Sequence, residues 1–293
     1  MGDSPNPTPA EPPAPPFDPP ANLHIGTSSW SSDDWRGTVY EAGAKPGDYI
    51  TQYARSYRTV EIDATFYRIP SDTMVDGWRE KTPDNFVFSA KIPQVITHEK
   101  ELVDCEDDFR LFLSRMERLR EKLGPMVFQF PYVAKGKDAD EYATGAGFRE
   151  RLERFLKCLP SDHRFAVEVR NEKWIDEAFL DLLRRHKVAL VLVEYFTMPA
   201  MTKLVSKLDC QTGDFTYLRF LGDHKRMDAL VKERDKPWGS LAVDRTNETR
   251  RWIAPVNGFL AKKIDVFAYF NNHFAGYAPG SVKLFLDLLR ETS

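Results

Sequence analysis

From residue 23 onward one rhythm repeats eight times: a short run of β-branched and aromatic residues, then a longer stretch of mixed or helical period. The runs are LHIGTSSW, TVEIDATFY, FVFSAK, MVFQF, RFAVEVR, VALVLVE, FTYLRF and DVFAYFNN. Strands that alternate with helices return to the same end of a sheet each time and therefore lie parallel. Eight such units in about 270 residues match the size of a (β/α)₈ TIM-type barrel of the α/β class. A doubly wound open sheet is the alternative, but it uses fewer strands and a Gly-rich first turn, which IGTSSW lacks. Helices are expected over 47–57, 72–82 behind a Ser71-Asp72 cap, 105–123, 145–158, 175–186, 244–262 and 279–291, with a weaker signal over 200–208. In the third, Phe109, Phe112, Leu113, Met116 and Leu119 share a face, and Gly124-Pro125 supplies a stop.

A barrel makes a prediction about parity. One face of each strand meets the helices and must be apolar; the other points inward and opens, at its C-terminal end, into the mouth where barrel enzymes work. The chain obeys this. Val60 and Ile62 oppose Glu61 and Asp63; Phe86, Phe88 and Ala90 oppose Val87, Ser89 and Lys91; Met126, Phe128 and Phe130 oppose Val127 and Gln129. Phe165, Val167 and Val169 oppose Ala166, Glu168 and Arg170, while Phe215, Tyr217 and Arg219 oppose Thr216, Leu218 and Phe220. In the last strand Phe267, Tyr269 and Asn271 are expected inward. With Glu194 from the sixth strand, these residues form an inner ring of nearly cancelling charge.

The bland alternative for that ring is a salt-bridge network that only satisfies buried charge. Taking ions out of water costs several kcal/mol each, so an apolar core would serve folding better, and function is the preferred reading. Glu61 and Glu168 are the candidates for proton transfer, dividing acid and base roles as paired carboxylates do in glycoside hydrolysis. Lys91, desolvated beside Arg170 or Arg219, is the candidate base or nucleophile; fully paired to carboxylates it would be only a counter-ion. Expected binding residues are Trp30, Asp63, Tyr67, His98, Gln129, Arg170, Trp174, Arg219, Asn271 and Asn272, a set of cations, amides and rings suited to a polar, anionic or sugar-containing small molecule. His98, His273, Glu61, Asp63, Glu168 and Glu194 include ligand types for a divalent metal, but no H-x-H or H-E-x-x-H pattern occurs, so no metal site is assigned and no cofactor is required.

The rest of the chain narrows the class. Its formal charge of −3 demands neither nucleic acid nor a membrane, and no apolar run approaches the length of a membrane-spanning helix. The first 22 residues, MGDSPNPTPAEPPAPPFDPPAN, hold nine prolines and no apolar run, so they are expected to be a disordered tail without a secretory signal, ahead of a single domain over 23–293. Cys105, Cys158 and Cys210 are far apart and read as reduced thiols. GDHKRMDALVKERDKPWGS, after the seventh strand, reads as a solvated lid loop carrying His224.

Seven ordered segments, IGTSSWSSDDWRGTVY, TVEIDATFYRIPS, FVFSAKIPQVITHEKEL, MVFQFP, FAVEVRNEKW, TYLRFLG and FAYFNNHFAGYAP, resemble the signature segments of the YecE-like family, also called domain of unknown function 72. The resemblance implies a TIM-type barrel and a cytoplasmic protein, and no reaction. Thr27, Trp30, Glu61, Thr65, Phe66, Tyr67, Lys91, Pro93, Thr97, His98, Gln129, Glu168, Arg170, Trp174, Arg219, Gly222, Asn271 and Asn272 match its pattern. Asp63, Leu221 and His273 depart from it, standing where asparagine, histidine and aspartate are usual, and Glu194 stands in for an aspartate. The functional expectation is a hydrolase or lyase of unknown substrate, with carboxylate acid/base chemistry at the C-terminal barrel face. Metal-assisted phosphodiester hydrolysis, nucleic-acid repair or binding, and a non-catalytic ligand-binding barrel are the alternatives.

Overall fold

The computed structural model describes residues 19–134 and 145–292. Its strands are β1 (Leu23–Thr27), β2 (Thr59–Ile62), β3 (Val87–Lys91), β4 (Leu123–Gln129), β5 (Phe165–Glu168), β6 (Ala189–Tyr195), β7 (Phe215–Gly222) and β8 (Asp265–Phe270). All pairings are parallel, and hydrogen bonding runs in the order β1-β8-β7-β6-β5-β4-β3-β2, so the sheet curls into a nearly closed barrel. Between the strands lie α1 (Tyr49–Ser56), α2 (Asp72–Glu80), α3 (Glu106–Met116), α4 (Gly145–Leu156), α5 (Glu177–Arg185), α6 (Met201–Val205), α7 (His224–Val231), α8 (Thr246–Ala261), α9 (Asn272–Ala275) and α10 (Ala278–Arg290). The TIM-type architecture read from the sequence is the one observed. Among the described residues no helix is long and apolar enough to cross a membrane.

Local chemistry explains the helix ends. Ser71 caps α2 by accepting from the Met74 N–H, and Asp176 caps α5 by accepting from Phe179. The third helix is shorter than expected. It ends at Met116 and continues as a 3₁₀ stretch to Lys122, broken where Arg120 takes a left-handed backbone (φ 54°). The stretch expected to be a lid loop instead begins with α7. Asp223 caps it through the Arg226 N–H, and Met227 and Val231 bury its inner side, a stripe too short to stand out among the charges around it. The tail expected over 1–22 lies outside the described residues up to position 18. Within them, the Asn22 amide donates to the carbonyls of Leu260 and Ile264 at 3.3 and 3.0 Å. Cys105, Cys158 and Cys210 are free thiols.

Parity places the side chains as expected in β2, β3, β4, β5, β7 and β8. Outward, Phe128 meets Phe109 of α3 and Phe155 of α4, Phe220 meets Trp252 of α8, and Phe270 meets Phe285 of α10. Each buried ring of this kind contributes on the order of 1.5–3 kcal/mol. Inward, polarity rises with height. Near the N-terminal end His24 stacks on Phe267 with centroids 4.4 Å apart, and Phe215 packs edge-on against the same ring. One step higher the Tyr269 hydroxyl lies between Thr59 Oγ1 (2.6 Å) and Ser89 Oγ (2.8 Å), beside Tyr217. Above them stand the charges.

The strand that departs is β6. There Val191 pairs with Tyr217 and Val193 with Arg219, so the valines face inward and Glu194 faces out, accepting a hydrogen bond from Trp252 Nε1 at 2.8 Å. The expectation that Glu194 belongs to the inner ring is therefore corrected. The next residue, Tyr195, takes the inner position.

Closure of the barrel is uneven. β1 and β2 share only the bridge between Ser28 and Glu61, with the Ser29 N–H donating to the Glu61 carbonyl at 2.8 Å. Lower down, Tyr53 of α1 inserts its hydroxyl between the strands, accepting from the Thr27 N–H at 3.0 Å and donating to the Thr59 carbonyl at 3.1 Å. A side chain thus stands in for a missing ladder step. Gly26 makes room: a Cβ there would lie 2.3 Å from the Thr59 carbonyl oxygen. Tyr53→Phe leaves two buried backbone groups without partners, and the expected loss is about 1–3 kcal/mol per unsatisfied group, measured as a lower urea midpoint at unchanged slope.

Candidate functional site

The inner ring resolves into a deep layer and a mouth layer. In the deep layer Glu61 and Glu168 are fully buried and share Arg219. Arg219 donates to Glu61 Oε1 from Nη2 at 2.7 Å and from Nε at 3.2 Å, and to Glu168 Oε2 from Nη1 at 2.7 Å. Tyr217 donates to Glu61 Oε2 at 2.7 Å, and Arg170 Nη2 lies 2.5 Å from Glu168 Oε1. Three of the four carboxylate oxygens therefore accept hydrogen bonds; the fourth, Glu168 Oε1, meets Arg170 as an ion pair and has no hydrogen-bond partner among the described residues. Burial alone would raise the Glu168 carboxyl, but Arg170 and Arg219 outweigh it and hold it below the usual range. By the same logic burial would lower the Arg219 guanidinium, and Glu168 and Glu61 raise it instead.

The mouth layer is less completely paired. Lys91, at the end of β3, has a side chain only 10% exposed, with Nζ 3.6 Å from the centre of the Phe66 ring and 3.5 Å from Asp63 Oδ1. Burial pushes its ammonium below the ordinary lysine range, Asp63 opposing and Arg219 assisting. His98 sits on a single π-helical turn (Val95–Glu99), edge-on to Phe66, with Nδ1 2.8 Å from Thr97 Oγ1. Burial, then Lys91 and Arg170, lower it to about 4, so it is a neutral imidazole at pH 7. The Arg170 guanidinium lies flat on Tyr195, 3.9 Å from the ring centre, and its Nε has no partner.

A second group of rings closes the side nearest β7 and β8. His224 stacks on His273 with centroids 4.2 Å apart, Trp238 lies 4.5 Å from His273, and His273 Nε2 is 3.0 Å from Asp228 Oδ1. Burial, then His273 and Arg170, lower His224 to about 4. Tight packing fixes this corner, because a Cβ on Gly222 (φ 71°) would lie 2.3 Å from the His273 carbonyl oxygen. Tyr195 and His224 were not among the residues expected here. Counting parity forward from the paired valines of β6 would have found Tyr195; nothing local marks His224.

The structure thus brings together Glu61, Asp63, Lys91, His98, Glu168, Arg170 and Arg219, with Tyr67 beside Asp63 at 68% exposure. Gln129 pairs in register with Glu168 and spends its amide on the Phe130 carbonyl at 2.6 Å. Other expected binding residues serve the frame. Trp30 packs edge-on against Trp78 and Phe88 in the helix layer, and the buried Trp174 stacks on Phe148 of α4 at 4.5 Å. Asn271 Oδ1 accepts from the His273 N–H, and Asn272 Oδ1 accepts from the Ala278 N–H, fixing the turn from β8 into α10. Among the described residues no group of three or more His, Cys, Asp or Glu side chains is placed to hold a metal ion.

Two outcomes follow from the deep layer. Arg219→Met strands two buried carboxylates, and a loss of about 3–5 kcal/mol is expected in chemical denaturation. Because the folded-state pKa of Glu168 lies below its ordinary value of 4.5, its contribution is present above that pH and lost as pH falls through the folded value. Glu168→Gln should therefore flatten the acid limb of stability against pH, read by urea midpoints between pH 7 and about 3.

Residues 24–293 match the family model described as "Protein of unknown function DUF72". The UPF0759 protein YunF of Bacillus subtilis (strain 168) is 25% identical over 280 residues, covering 91% of this chain and 94% of that protein. The UPF0759 protein YecE of Escherichia coli K12 is 30% identical over 152 residues, so the aligned part spans about half of each, 52% and 50%. A crystal structure of a DUF72 family protein from Thermotoga maritima superposes with a TM-score of 0.69 at 27% identity, covering 92% of this chain and 99% of that one. The chain belongs to the DUF72 family.

Proposed function

We propose that the C-terminal mouth is the active site of a cytoplasmic enzyme acting on a small polar substrate that carries an anionic group. The observation that carries this reading is Arg170. Its guanidinium is anchored on Glu168 through one nitrogen and on Tyr195 through its face, while none of its other donors makes a hydrogen bond among the described residues. A planar cation held in place with spare donors suits a carboxylate or phosphate, for which Arg provides a bidentate fork. Neutral His98 adds no repulsion toward such a group.

Proton transfer falls to Lys91 rather than to the glutamates. Three of the four oxygens of Glu61 and Glu168 accept hydrogen bonds from Arg219 or Tyr217 and the fourth is ion-paired to Arg170, so the glutamates set the position and charge of the arginines. Lys91 has a pKa moved toward neutrality and a partly exposed acid beside it in Asp63. A general base in this position fits a hydrolase or a lyase. The metal-assisted alternative finds no ligand set among the described residues.

One observation favours a second reading. The exposed aromatic side chains Tyr67, Tyr132 and Phe196 follow β2, β4 and β6, all at the mouth end of the barrel. Rings so placed would stack on bases of a single-stranded nucleic acid whose phosphates reach the cations, and binding would then weaken steeply with salt.

Inorganic phosphate and a short dicarboxylate should each stabilise the protein saturably in thermal denaturation, by about 2.7 kcal/mol at a hundredfold excess over Kd. Arg170→Gln should abolish the effect. Equal stabilisation of wild type and variant, or none of either, would remove this reading.

A further inference from the structure

Among the described residues two lysines are buried, Lys91 and Lys122, and they are treated differently. Lys122 is 3% exposed, and its Nζ donates to the carbonyls of Arg79 and Thr82, both at 2.8 Å. That is how a structural lysine is accommodated: the charge is kept and its donors are satisfied by backbone. Lys91 is 8% exposed, and among the described residues its Nζ makes no hydrogen bond. Its one carboxylate, Asp63, stands at 3.5 Å, well beyond the roughly 2.7–2.9 Å of a charge-assisted hydrogen bond. The other surface it touches is the apolar face of Phe66.

A lysine kept only for folding would gain from closer acceptors. An amine with an available lone pair needs the opposite: low solvation, few hydrogen bonds, and neighbouring positive charge. Lys91 has the first two, since burial lowers its pKa and its Nζ makes no hydrogen bond among the described residues, and Arg219 adds positive charge that Asp63, Glu168 and Glu61 oppose.

We propose that Lys91 is a nucleophile that forms an imine with an aldehyde or ketone substrate whose anionic group is held by Arg170, an inference that rests on the anion site described above. The neutral Nζ attacks the carbonyl carbon, the C–N bond forms, and the carbonyl π pair moves to oxygen. Asp63, 31% exposed and 3.5 Å from Nζ, relays a proton from nitrogen to that oxygen. The C–O bond of the carbinolamine then breaks. Both amine hydrogens leave with the oxygen as one water, so the step is balanced without oxidant or reductant. The imine withdraws electrons from the neighbouring carbon and opens lyase or isomerase chemistry.

The test is reductive trapping on the full chain. Protein is incubated at neutral pH with pyruvate or glyceraldehyde 3-phosphate, with acetaldehyde as the neutral comparison, and treated with cyanoborohydride. Intact mass and peptide mapping then locate the adduct. The expected result is one adduct per chain on Lys91 with the anionic carbonyls, lost in Lys91→Met and strongly reduced in Arg170→Gln. Mapping on wild-type protein reads the site directly, so the result stands even if a variant folds poorly. Phosphate stabilisation with Lys91 unlabelled would overturn the imine and leave the anion site intact. Absence of both, or equal labelling of exposed lysines and Lys91 by all three carbonyls, would overturn the inference.

Discussion

The C-terminal half of the barrel interior depends on Arg219 holding two carboxylates at once. Glu61 comes from β2, Glu168 from β5 and Arg219 from β7, so one guanidinium ties three separated strands across the core. With two negative charges and one positive, that triad is not neutral. Arg170 restores the balance through one nitrogen, which leaves its Nε without a hydrogen-bond partner. The electrostatics of the deep layer thus dictate the geometry of the layer above. Each ion costs several kcal/mol to desolvate, and excellent geometry is needed to offset that. An interior of leucines would have folded more simply and presented nothing to a ligand.

Above this rigid layer the pairing becomes incomplete in a graded way. Arg170 is held by one nitrogen and a ring face, and Lys91 by one distant carboxylate and a ring face. Aromatic faces support both cations without consuming their hydrogen-bond donors. That combination, a fixed position with spare valence, is what separates a site prepared for a ligand from an internal salt-bridge network.

Much of this was legible in the sequence because strand parity is a strict geometric rule. Once FAVEVR is a barrel strand, Glu168 and Arg170 must share a face, and TVEID and TYLRF then bring Glu61 and Arg219 to the same interior. The rule failed at β6, where an all-apolar run offers no contrast between faces and Glu194 drew attention by its charge alone. Composition of loops was a poorer guide. Trp30 and Trp174 follow strands and invite a binding role, yet each turns back into the helix layer, because a large ring gains more from burial than from water. The stacking of His224 on His273 joins the first turn of α7 to α9, and only the fold brings them together.

The seam between β1 and β2 has a consequence for how the charged interior comes apart. Glu61 sits on the strand whose outer neighbour is held by one bridge and the Tyr53 hydroxyl. Free energies of local opening are lowest where ladders are thinnest. A fluctuation that parts this wall swings Glu61 away from Arg219 and dismantles the ion-paired triad while the other strand pairs remain zipped. In such a barrel the charged layer comes apart at its weakest joint, well before the fold itself is gone.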